Sequence, residues 1–75
     1  MTMGQKIQRA RKQRRWSQWE LAARSKVPQA TLSRLESGEQ DNPTVDTLRK
    51  LSVTLGLSMD YLAGVFEEVE RVNAS

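Results

Sequence analysis

Between Ser17 and Gly38 the chain carries start and stop signals for two short helices set almost end to end. Ser17 and Glu20 have the spacing of a capping box: the serine hydroxyl takes the amide three residues on, and the glutamate returns to the serine amide. Trp16 and Leu21 flank the box as a hydrophobic staple. Together they predict a helix over about Gln18 to Ser25, with Leu21, Ala22 and Ser25 turned inward. Lys26-Val27-Pro28 then breaks it, because proline lacks an N–H and clashes within a helix yet suits the start of the next one. A second helix follows over about Gln29 to Ser37, with Leu32 and Leu35 inward and Gly38 as the left-handed stop. Strand signals are weak throughout, since no stretch alternates apolar and polar residues for long. The class is all-α.

Three further helices complete the pattern. Helix 1 is expected over about Met3 to Arg15, opened by a Thr2–Gln5 capping box. Ile7, Ala10, Arg11 and Arg14 share one of its faces by spacing. Two of these are arginines, so either the apolar stripe is narrow or one arginine has a buried partner. After the polar loop Glu39-Gln40-Asp41-Asn42-Pro43, Thr44 caps a helix over about Val45 to Leu55 that is expected to bury Val45, Leu48, Leu51 and Leu55 and to stop at Gly56. Ser58 caps a short last helix reaching Gly64, with Leu57 set against Leu62. Residues 1–64 therefore read as one domain and 65–75 as a C-terminal tail, a short helix or a frayed end. In that tail Val65, Val69 and Val72 recur on one face, and with Phe66 they fit either an intramolecular pack or a dimer seam.

Seventy-five residues make a single domain, which buries only about 60% of its unfolded surface. The absence of cysteine excludes a disulfide framework, a thiolate metal site and a Cys nucleophile. The absence of histidine removes the commonest general base and zinc ligand. Catalysis would then need carboxylates, or serine with a lysine base, and no such constellation sits at suitable spacing. No glycine-rich phosphate loop or metal-ligand cluster is present, so neither enzyme activity nor a cofactor is expected. No apolar run approaches the roughly 18 residues of a membrane span, and no signal peptide opens the chain; a reducing cytoplasm is the expected compartment. The Asn73-Ala74-Ser75 sequon reads as chance.

Net charge is +3, but its distribution is lopsided. Residues 1–34 hold nine Lys/Arg against Glu20 alone, and residues 35–75 hold three basic side chains against eight acidic ones. A positive half is the electrostatic footprint of a polyanion partner. It is equally the surface of a solvated helix pair, and charge alone does not separate the two.

The segment Ser17–Gly38 satisfies the helix-turn-helix template, two short helices joined by a tight turn. Ala22 is small where the helices cross, Val27 plugs the turn, and Leu32 and Leu35 anchor the second helix so that its other side can enter a major groove. From here the chain resembles the phage repressor and Cro family of helix-turn-helix domains. The resemblance rests on Ile7-Gln8-Arg9-Ala10-Arg11, Trp16-Ser17-Gln18-Trp19-Glu20-Leu21-Ala22, Leu32-Ser33-Arg34-Leu35-Glu36-Ser37-Gly38, Pro43-Thr44, Leu48 to Leu51 and Leu55-Gly56-Leu57-Ser58. It covers residues 3–64 without an insertion. It implies a five-helix bundle around a central helix-turn-helix, binding palindromic operator DNA as a symmetric dimer. It also implies that Arg11 and Glu36 form a structural ion pair.

With Leu32 and Leu35 inward, a step of roughly 100° per residue points Ala30, Ser33, Arg34 and Ser37 outward, while Gln29 leads the helix from its flank. Glutamine can pair with adenine, arginine with guanine, and alanine can touch a thymine methyl. Gln29, Ala30, Ser33 and Arg34 are therefore the expected base contacts. Ser17, Gln18, Trp19, Thr31, Ser37 and Thr44 are the expected DNA-backbone contacts, a class that carries no sequence information. Trp19 fits packing on sugar-phosphate or simple coverage of its neighbours. Glu39 and Asp41 stand where some family members have basic loop residues, and Lys26 replaces a turn glycine, at about 1 kcal/mol if it is left-handed. A dimer is expected through Leu57, Met59, Tyr61 and Val65.

The function this implies is a sequence-specific double-stranded DNA-binding regulator, a repressor. Two other readings stand beside it. One is the antitoxin of a toxin–antitoxin pair, which adds a protein partner. The other is a helical protein-interaction module that has lost DNA binding and works through its acidic half.

Overall fold

The computed structural model describes residues 1–64, which form α1 (Met3–Gln13), α2 (Gln18–Ser25), α3 (Gln29–Ser37), α4 (Val45–Leu55) and α5 (Met59–Ala63). Among the described residues there is no strand. No helix there is long and apolar enough to cross a membrane. The expected tail helix and the Val65, Val69 and Val72 stripe lie outside the described residues.

The caps set the helix starts as the spacing predicts. In α1 the Thr2 hydroxyl accepts the Gln5 amide at 3.1 Å while the Gln5 side chain accepts the Thr2 amide at 2.9 Å. In α2 the Ser17–Glu20 box closes at 3.1 and 3.4 Å. Thr44 and Ser58 cap α4 and α5 through their hydroxyls. Pro28 occupies the N-cap of α3 with no side-chain hydrogen bond. The stops are left-handed: Lys26 ends α2 at φ 62°, and Gly38 ends α3 at φ 85°. Lys26 therefore carries the backbone strain foreseen for it.

One apolar cluster joins all five helices and the turn: Ile7 and Ala10 of α1, Leu21 of α2, Val27, Leu32 and Leu35 of α3, Leu51 and Leu55 of α4, and Leu62 of α5. Trp16, Ala22, Leu48 and Leu57 pack against it half-buried. Each leucine so buried contributes about 2 kcal/mol of transfer free energy. α1 packs on α3, α4 and α5, and α2 packs on α3 and α4, so the helix-turn-helix unit rests on a platform made by the other three helices.

Two sequence expectations are corrected. α1 ends at Gln13 rather than Arg15, because Arg15 is left-handed at φ 59° and the Trp16 amide reaches back to the Arg11 carbonyl at 3.1 Å. Val45 is 66% exposed instead of buried. At roughly 100° per residue it falls about 90° from the middle of the Leu48–Leu51–Leu55 stripe.

Two buried positions leave no mark in the helical spacing. The Lys6 ammonium donates to the Tyr61 carbonyl at 2.7 Å and lies 4.6 Å from the centre of the Tyr61 ring, tying α1 to α5. Gly4 sits where α1 crosses α3, and a Cβ there would lie 2.1 Å from the Leu35 carbonyl oxygen. A glycine inside an otherwise regular helix is the available signal for such a close approach.

Candidate nucleic-acid interface

α3 is held on its inner side by Leu32 and Leu35 and at its end by an ion pair. Arg11 donates from Nε to one Glu36 carboxylate oxygen at 2.9 Å and from Nη2 to the other at 2.8 Å. Its Nη1 donates to the Trp16 carbonyl at 2.8 Å. Only 11% of the arginine side chain and 3% of the glutamate side chain are exposed. This two-pronged geometry is the strong form of the pair. It fixes α3 to α1 and to the loop leading into α2, and it answers why an arginine sits on the inner stripe of α1.

The opposite side of α3 is bare. Ala30 and Arg34 are exposed, and the Arg34 side chain has no hydrogen-bond or ion-pair partner among the described residues. Ser33 and Thr31 are half-buried on the flanks. Gln29, also half-buried, donates from Nε2 to the Gln18 side-chain oxygen at 2.9 Å. That bond couples the first residue of α3 to the first residue of α2, a link the spacing in sequence did not reveal. The two side chains thus meet where the positive dipole ends of both helices begin.

The remaining site residues divide by what their polar groups already do. The hydroxyls of Ser17 and Thr44 are engaged in capping α2 and α4. The Ser37 hydroxyl donates to the Arg34 carbonyl at 3.1 Å and accepts the Glu39 amide at 3.3 Å. What the exposed caps at Ser17 and Thr44 offer an anion is the free amides of the first turn behind them. Trp19 stands 70% exposed on the outer side of α2. Of the four residues expected at a dimer seam, Leu57, Met59 and Tyr61 are half-buried within the chain and Val65 lies outside the described residues.

The positive half of the chain is not one open patch. Lys6, Arg11 and Arg14 direct their donors at protein carbonyls or at Glu36, with Arg14 reaching the Ala10 and Leu55 carbonyls. Arg24 lies 4.5 Å from the centre of the Trp16 ring. Arg34 is what remains on the outer face of α3.

A short helix laid across a second, anchored from behind and bare in front, is the geometry of a helix-turn-helix domain. The chain belongs to the helix-turn-helix family, whose sequence profile matches residues 7–62. It is similar to the HTH-type transcriptional regulator SinR of Bacillus licheniformis, 35% identical over 68 residues that span 91% of this chain and 61% of SinR. It is also similar to the HTH-type transcriptional regulator ImmR of Bacillus subtilis (strain 168), 36% identical over 73 residues, 97% of this chain and 56% of ImmR. The chain thus spans less than two thirds of the length of these relatives. Among solved structures, SinR in complex with DNA superposes with a TM-score of 0.77 at 36% identity, over 81% of this chain and 97% of that one. A SinR–SinI protein complex does so with a TM-score of 0.77 at 29% identity, over 99% and 80%.

Proposed function

We propose that this chain is a sequence-specific double-stranded DNA-binding transcriptional regulator, a repressor that places α3 in the major groove of a palindromic operator as a dimer. The observation that carries the reading is the bare outer face of α3, with Gln29 braced by Gln18 at its leading end. In this reading Gln29, Ala30, Ser33 and Arg34 contact base edges. Gln18, Trp19 and Thr31, with the helix starts at Ser17 and Thr44 and the α3 end at Ser37, hold the DNA backbone. The kinship to SinR, whose solved structure includes DNA, supports it.

A regulator of this kind works where the chromosome is, in the cytoplasm. Its two α3 helices must face successive major grooves about 34 Å apart, which calls for a symmetric pair of chains, with Leu57, Met59 and Tyr61 toward the seam. The SinR–SinI complex favours a protein partner as a second reading, compatible with the first. Selection of bound sites from a random duplex library tests the proposal. An enriched palindrome holding two chains supports it, and retention without sequence preference overturns it.

A further inference from the structure

A groove of 370 Å³ runs between the end of α2 and the outer face of α4, and none of the residues assigned above to DNA lines it. Arg24, Lys26, Arg49 and Lys50 line it against a single acidic side chain, Asp46. Asp46 pairs with Lys50 at 3.0 Å on the exposed surface of α4, so Arg24, Lys26 and Arg49 have no carboxylate partner among the described residues. Val53 stands in the same groove 77% exposed, a large apolar side chain with nothing over it. Cations around a bare valine ask for an occupant that is both acidic and apolar.

The chain carries such a segment. Residues 65–75 hold Glu67, Glu68 and Glu70 against Arg71 alone, interleaved with Val65, Phe66 and Val69. We propose that the acidic segment 65–75 of a second copy of this chain docks in the α2–α4 groove, its carboxylates against Arg24, Lys26, Arg49 and Lys50 and an apolar side chain on Val53. The segment follows α5, which packs on α1 and α4, whereas the far wall of the groove is α2. Docking of the segment in its own groove is the alternative that the mixing experiment below separates. Exchange of identical segments between two chains closes with two-fold symmetry and leaves no unpaired surface. The inference rests on the proposed dimer and is independent of DNA recognition, so its test is made without DNA.

The experiment is sedimentation of the full chain and two charge-reversed variants, Arg49→Glu with Lys50→Glu and Glu67→Lys with Glu68→Lys. Each variant alone should associate about tenfold more weakly than the parent, since like charges now meet across the seam. An equimolar mixture of the two should associate as the parent does, because the segment of each then matches the groove of the other. Unchanged association of either variant overturns the proposal, as does a mixture that fails to recover, which is the outcome for docking within one chain. Should a reversal unfold its chain, an end-blocked peptide of residues 64–75 is titrated into the parent and into Arg49→Ala. Binding about tenfold weaker to Arg49→Ala supports the proposal, and equal binding overturns it.

Discussion

On its inner side α3 meets the backbone of α1 so closely that only a glycine fits at position 4, and Glu36 is gripped by two hydrogen bonds from Arg11. On its outer side the same helix shows an exposed Ala30 and an Arg34 that touches nothing charged among the described residues. Substitutions on the inner side should therefore be felt as stability. Those on the outer side should be felt as affinity with the fold intact. The lesson concerns reading the charge of a small domain: an arginine on the inner face and one on the outer face look alike in a composition and do opposite things.

The largest effect tests the inner side. Glu36→Ala strands a buried arginine and should lower stability by about 3–5 kcal/mol in denaturant titration. A loss below about 1 kcal/mol would show the pair to be ornamental. Arg11→Met with Glu36→Leu removes both charges and should recover most of that loss, because a buried pair and apolar replacements of similar volume are often close in stability. Gly4→Ala is the next test. In an unobstructed helix the change stabilises by up to about 1 kcal/mol. Here the added methyl meets the Leu35 carbonyl and should destabilise by about 1–3 kcal/mol, so the sign alone decides.

The outer side comes next in size. Gln29→Ala and Arg34→Ala should each weaken binding to the selected duplex by about 1–3 kcal/mol while leaving the melting temperature nearly unchanged. Equal losses on selected and random duplexes would move Arg34 to the phosphate class. Gln18→Ala sharpens the division, because Gln18 has two roles in the proposed complex. It should cost about 1 kcal/mol on every duplex and also relax the preference at the base read by Gln29, whose side chain it braces. A purely uniform loss would show the brace to be idle. The smallest effect expected is from Lys26→Gly, a gain of under about 1 kcal/mol in stability, since glycine adopts the left-handed turn without strain but is freer when unfolded.

Helix starts were legible in the sequence because capping is local: Thr2, Ser17, Thr44 and Ser58 each announce themselves within three residues. The inward leucines were legible for the same reason, through spacing along one helix. Val45 was misread because it follows a cap directly and looks like the first member of a stripe from which rotation carries it away. Gly4, Lys6 and the Gln18–Gln29 bond were missed because their meaning is tertiary. Each acquires its partner from an element distant in the chain or across a turn, at the Leu35 carbonyl, the Tyr61 carbonyl and a second glutamine. The Arg11–Glu36 pair has the same long-range character. It was anticipated through the family resemblance, with the unexplained arginine on the inner stripe as its only local trace.

The commitment of Lys6, Arg11 and Arg14 to protein oxygens has a consequence for how a protein of this kind would grip an operator. Each phosphate neutralised by a side-chain cation displaces about 0.9 condensed counterions, and the steepness of binding against ionic strength counts those neutralisations. A tally of the nine basic residues in the first 34 would forecast a steep dependence. With three of them turned to carbonyls or a carboxylate, the dependence should be shallower than that tally implies. Recognition would then survive rises in ionic strength that strip more densely charged proteins from DNA, in exchange for weak adhesion to random sequence.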